Sequence, residues 1–227
     1  KVLNLNHIII KNNQNQIANP EEFNQILDRN PDITHVIAVH CETTSGILNP
    51  IKEIGKVVKS HGKIFMVDAM SSFAGVEMDI DAWNIDVLIS SPNKNIQGVP
   101  GFSFVIVRKD LLIDNKNTAR SVCLDLYDQL NEMEKDKGKW RFTSPTHVVR
   151  AVYQALHELE EEGGIPARAK RYQSNMNLLL AGMKELGFKL AINPAYQSPI
   201  IATFVNPDSK AYNFKHFYDA LKSKGFV

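Results

Sequence analysis

Two side chains in this sequence have types and settings suited to carbonyl chemistry. Asp68 closes the apolar run 64–67, and Lys94 lies in the turn after the candidate strand 86–89. A lysine amine becomes a nucleophile for aldehydes when burial favours its neutral form. A carboxylate held against a pyridine nitrogen keeps that nitrogen protonated and makes the ring an electron sink. Any Asp and Lys taken together can also be an ion pair, or two solvated loop groups. The surroundings of Lys94 argue for more than that. Ser90, Ser91, Pro92 and Asn93 precede it, and Gly98 and Gly101 follow, so the backbone there is tight and the side chains small.

Several elements must position this pair. Residues 20–29 read as a helix, with Asn19 as cap and Pro20 at the first helical position. Ile51, Ile54, Val57 and Val58 recur at helical spacing and stop near Gly62. The runs 36–39, 64–67 and 86–89 are short and largely apolar, as strands buried on both faces of a parallel sheet are, and 7–10 is a further candidate strand. The link from Ile89 to Phe102 is too short and too rich in Pro and Gly for a crossover helix, so 102–107 is expected to run antiparallel. Residues 124–133, 145–162, 167–186 and 212–224 have helical patterns, and 200–205 reads as a strand. In the helix 145–162, Val148, Val152, Leu156 and Leu159 form one stripe, and Glu158 and Glu160 to Glu162 read as a solvated end. The expected fold class is α/β. In open sheets of this kind ligands bind outside the carboxyl ends of the strands, where both Asp68 and Lys94 fall.

Composition narrows the function classes. With 227 residues, 44% hydrophobic and 22% charged, the chain has the balance of a globular protein. A net charge of +1 offers no nucleic-acid footprint. No apolar run approaches the roughly 20 residues of a membrane helix, and the first residues lack signal-peptide order. Cys41 and Cys123 make no disulfide framework, so a reduced, cytoplasmic protein is expected. His40, beside Cys41 and Glu42, has no second cluster at metal-ligand spacing, and no metal is expected. Gly98 and Gly101 lack the three-glycine spacing of a dinucleotide fingerprint.

Four segments, in order, carry a resemblance: 40–50 (HCETTSGILNP), 67–73 (VDAMSSF), 90–102 (SSPNKNIQGVPGF) and 142–147 (FTSPTH). Together they resemble the 2-aminoethylphosphonate–pyruvate aminotransferase family, a branch of the class-V, fold-type I enzymes that use pyridoxal 5′-phosphate (PLP). The resemblance implies a large PLP-binding domain, residues 1–163, whose mostly parallel sheet lies between helices and has one antiparallel strand. Residues 164–227 would be part of a small α+β domain. It implies Lys94 as the Schiff-base lysine and proton shuttle, and Asp68 as partner of the pyridine nitrogen. Thr43 would meet the ring hydroxyl, and Ser91 and Asn93 would lie near the phosphate. Thr143 would reach the cofactor phosphate of the neighbouring subunit in a homodimer. Met70 is either a ring-face contact or an ordinary core methionine. Asn93 stands where related enzymes have His or Gln, which favours the phosphonate branch. Asn95 follows the lysine where a smaller or apolar residue is expected.

The implied reaction moves the amino group of 2-aminoethylphosphonate to pyruvate, giving phosphonoacetaldehyde and L-alanine. The resemblance also implies that a glycine-rich phosphate cup lies before Lys1 and an acid-gripping arginine beyond Val227, so that this piece alone would be inactive. Two alternatives stay open. One is an alanine– or serine–glyoxylate aminotransferase of the same fold, and the other is an inactive α/β module that binds or dimerises.

Overall fold

The structure, a computed structural model, describes residues 5–226. Its centre is a four-stranded sheet of β1 (His35–Val39), β2 (Ile64–Asp68), β3 (Val87–Ser90) and β4 (Phe104–Val107), in that spatial order. β1, β2 and β3 are mutually parallel, and β4 pairs antiparallel with β3, Ser90 opposite Phe104. The short link from β3 to β4 allows only that direction.

Two helices cover one part of the sheet. In α1 (Pro20–Arg29) the Asn19 side chain accepts from Glu21 N, and Pro20 occupies the first turn. α2 (Ile51–Ser60) buries Ile51, Ile54 and Val58 against Phe65, Val67 and Leu88 of β2 and β3. Gly55 lets α2 approach closely, since a Cβ there would lie 2.0 Å from the carbonyl oxygen of Trp83.

Beyond β4 come α3 (Lys109–Asp114), α4 (Leu126–Lys135), α5 (Thr146–Glu161) and α6 (Gly164–Glu185). α5 buries Val152, Ala155 and Leu159, while Leu156, expected on that stripe, is 43% exposed. Its buried face follows the 3–4 spacing through Ala155, a small residue that the larger Leu156 masked. α6 begins three residues earlier than expected, because Gly163 at φ 105° makes the whole break between α5 and α6. The chain closes with β5 (Lys189–Leu190), a single 3₁₀ turn (Pro194–Tyr196), β6 (Phe204–Val205) and α7 (Phe214–Ser223). β5 and β6 form a separate antiparallel pair.

Two strand expectations are corrected. Residues 7–10 are not a strand: Ile8 and Ile9 are exposed and no strand pairs with them among the described residues. Residues 200–205 contract to Phe204–Val205, since β5 offers only two residues to pair with. Among the described residues no helix is long and apolar enough to cross a membrane.

Candidate functional site

Asp68 is the last residue of β2, and β3 lies beside it in parallel register, Asp68 opposite Ile89. The carboxyl ends of both strands therefore open on one edge of the sheet. Asp68 is half-buried, and its Oδ1 accepts from Met70 N at 2.9 Å, which fixes the carboxylate by a local turn. The Asp68 carbonyl accepts from His40 N at 2.9 Å, tying β2 to the end of β1.

Lys94 stands in the turn after β3. It is exposed rather than buried, and among the described residues its ammonium has no hydrogen bond and no ion pair. Asp68 and Lys94 thus share an edge without closing on each other as a salt bridge.

The segments that carry them are joined on both sides of the lysine. Ala69 N donates to Ile89 O at 2.9 Å, and Ser90 Oγ donates to Ala69 O at 3.1 Å. Asn95 is buried, and its Nδ2 donates to Ser71 O at 3.1 Å and to Phe73 O at 3.2 Å. Gly75 leaves room for it, since a Cβ there would lie 2.6 Å from Asn95 Cγ. This explains why a polar residue follows Lys94: a smaller or apolar side chain would leave two carbonyls unpaired.

The hydroxyl residues gather here too. Thr43 Oγ1 lies 2.7 Å from Ser71 Oγ, and Ser91 Oγ donates to Asn93 Oδ1 at 2.7 Å. Met70 is half-buried. Asp68, Lys94, Thr43, Ser91 and Asn93 therefore all lie on segments that leave the carboxyl ends of β1, β2 and β3. Thr143 does not join them. It is exposed, ahead of α5, and lines a cavity of about 900 Å³ with Trp140, Arg141, Phe142, Arg150 and Tyr153.

His40 is buried, with Nδ1 3.0 Å from Ser72 Oγ and its ring edge-on to Trp83. Burial lowers its pKa from 6.5 to about 4, so the ring is neutral near pH 7. Burial also pushes the Cys41 thiol up; Cys41 and Cys123 are both free.

One group escapes a reading of the sequence. Arg168 in α6 is 2% exposed, and its Nη1 donates to Asn95 O at 2.8 Å and to Ile96 O at 3.1 Å. Its Nε and Nη2 donate to Glu162 Oε2 at 2.9 and 2.7 Å. Arg171 also holds Glu162, with Nε 2.7 Å from Oε1. Hydrogen bonds from Arg171 and Arg168 hold the Glu162 carboxyl down at about pKa 2. Glu162 is thus the anchor of an arginine pair and not a solvated helix end. The available signal was the Gly163-Gly164 break, which lets a glutamate before it meet arginines after it.

An amine, a carboxylate and several hydroxyls at the carboxyl edge of a parallel sheet are groups with the chemistry to engage a polar, carbonyl-bearing molecule. Comparison with known proteins agrees with this architecture. The sequence pattern of the class-V aminotransferases matches residues 3–222. The chain belongs to the class-V aminotransferases.

Within that family it is 52% identical over 227 residues to a 2-aminoethylphosphonate–pyruvate transaminase of Bacillus mycoides, covering all of this chain and 62% of that protein. It is 60% identical over 201 residues to the transaminase of the same name in Bacteroides fragilis, covering 88% of this chain and 55% of that protein. The chain thus spans less than two thirds of the length of these curated relatives. Among solved structures, this class-V chain superimposes on alanine–glyoxylate aminotransferase from Nostoc with a TM-score of 0.82 at 23% identity, over 94% of this chain and 56% of that one. Pyridoxamine–pyruvate aminotransferase from Mesorhizobium loti gives 0.79 at 27% identity, over 88% and 51%. The fold is that of the fold-type I enzymes, an α/β sheet, mostly parallel, with one antiparallel strand.

Proposed function

We propose that the protein carrying this chain is a PLP-dependent aminotransferase that moves the amino group of 2-aminoethylphosphonate to pyruvate, leaving phosphonoacetaldehyde and L-alanine. The observation that carries this is the placement of Asp68 at the end of β2 and of Lys94 in the turn after β3, its parallel neighbour, on one edge of the sheet. The donor set fits the cofactor. Lys94 has an unpaired amine among the described residues, and the Asp68 carboxylate accepts through Oδ1 from Met70 N. Thr43, Ser91 and Asn93 add hydroxyl and amide groups beside them.

When bound, PLP supplies an aldehyde for amines and a ring that accepts the electron pair left by a departing proton. Lys94 Nζ would hold that aldehyde covalently between turnovers, then take the proton from the amine-bearing carbon of the donor. The Asp68 carboxylate would keep the ring nitrogen protonated by its fixed negative charge. Thr43 would donate to the ring oxygen, while Ser91 and Asn93 would face the phosphate. In the second half of the reaction Lys94 would act in the opposite sense, delivering a proton to the carbon that began as the keto carbon of pyruvate.

Thr143 would act across a homodimer, on the partner's site. The division into a cofactor-binding part, 1–163, and part of a second domain, 164–227, belongs to the same proposal. The left-handed break at Gly163 and the separate β5–β6 pair support it. The substrate assignment is supported by the names and identities of the transaminases from Bacillus mycoides and Bacteroides fragilis.

The test uses the full-length protein loaded with PLP. Borohydride reduction and peptide mapping should find the cofactor on Lys94, and Lys94→Ala should carry none. Amino transfer from 2-aminoethylphosphonate to pyruvate should exceed transfer from alanine or serine to glyoxylate. Unchanged labelling in Lys94→Ala removes Lys94 from the mechanism, and the opposite donor preference overturns the substrate.

A further inference from the structure

We infer that Arg168 is a positioning residue for Lys94, holding the turn from which the amine acts. This rests on the role of Lys94 proposed above. Three successive carbonyls of that turn are tied down. Lys94 O accepts from Gln97 N at 2.9 Å, and Asn95 O and Ile96 O both accept from Arg168 Nη1. On the opposite side Asn95 Nδ2 grips the segment that follows Asp68. The turn is therefore clamped between the segment that follows β2 and the first turns of α6.

Arginine suits this task. Its planar fork has five N–H donors at fixed angles, so one guanidinium can bridge two carbonyls and a carboxylate at once. A buried cation needs a counter-charge, and Glu162, itself held by Arg171, supplies it. The side chain of Lys94 carries no hydrogen bond of its own among the described residues, so its aim depends on the backbone beneath it. A displacement on the order of 1 Å at a reacting group can cost about a hundred-fold in rate.

The experiment compares Arg168→Met, Arg168→Lys and Glu162→Gln in the full-length, PLP-loaded protein. Folding is checked by circular dichroism and cofactor content by absorbance. Arg168→Met should lower kcat roughly ten- to a hundred-fold while KM for both substrates stays within about two-fold, the split expected when positioning and not binding is lost. It should also slow borohydride trapping of the cofactor on Lys94. Arg168→Lys should recover part of the rate, because it restores charge without the fork. Wild-type kcat and trapping in folded Arg168→Met, even with a lower melting temperature, would make Arg168 purely structural and overturn the inference. If Arg168→Met does not fold, Glu162→Gln decides: a smaller fall in kcat at constant KM supports positioning, and unchanged kcat overturns it. Absence of any trapped adduct on Lys94 in the wild type sinks the function proposal instead, and is read separately.

Discussion

At the scale of single residues, burial decides which polar groups are available for chemistry. His40, in a motif that attracts attention in the sequence, sits closed in against Ser72 and Trp83 and is spent on structure. Its pKa falls from 6.5 to about 4 because burial penalises the charged ring. The unfolded chain therefore binds a proton in this range that the folded chain does not. Stability is full above pH 6.5 and is lost as the pH falls toward 4, by about 3 kcal/mol. Urea titrations across that window should show the slope. His40→Gln, which cannot protonate, should be less stable at neutral pH yet show a shallower slope, and an undiminished slope would assign the effect to other groups. The placement of Asp68 and Lys94 at one edge of the sheet was legible in the sequence because each ends or follows an apolar run, and strand ends are where such sheets bind ligands. Arg168 and Glu162 were not, because Arg168 reaches carbonyls 72 to 73 residues away along the chain and Glu162 meets its arginines across a helix break. Asn95 was noticed only as an oddity, since its partners are backbone carbonyls that carry no residue signature.

At the scale of elements, local signals served wherever an element is specified by its own residues. Asn19 and Pro20 start α1 where the sequence indicates, and the short, Pro- and Gly-rich link reverses β4. Two-residue strands such as β5 and β6 exist only through pairing across the chain, so no local pattern announces them. Close approach between elements is similarly hidden. Gly55 lies mid-helix, where alanine is intrinsically better by roughly 0.5–1 kcal/mol. A Cβ there would nonetheless meet the Trp83 carbonyl at 2.0 Å, and backbone cannot rotate aside as a flexible side chain can. Overpacking of that kind costs about 1–3 kcal/mol, so Gly55→Ala should be net destabilising. Thermal unfolding checks this: a raised midpoint would mean that α2 shifts freely over the 79–85 segment. A shift there matters to the site, because α2 packs on β2, which ends in Asp68.

At the scale of the whole molecule, the position of Thr143 separates two ways of building a site. Its exposed place beside Phe142, itself 52% exposed, is far from idle if a second subunit faces it. The cavity it lines also holds Arg150, with Lys139 and Arg141 that pair with Asp136 and Asp128, and these cations would suit a phosphate brought by another subunit. Closed two-fold symmetry then gives each dimer two sites, each built from both chains. This yields a complementation test with full-length protein. On the proposed shared-site arrangement, Lys94→Ala would spoil the site of its own subunit, whereas Thr143→Ala would spoil that of its partner. In a hybrid of the two variants one site collects both defects and the other collects none. Random reassortment of equal amounts makes about a quarter of all sites intact. Activity of the mixture should therefore rise, after subunit exchange, above the mean of the two separate variants. If Thr143 serves its own subunit, each hybrid site keeps one defect and mixing adds nothing. Activity that stays at the mean although labelled subunits have exchanged would return Thr143 to its own chain, and the shared site would be lost with it.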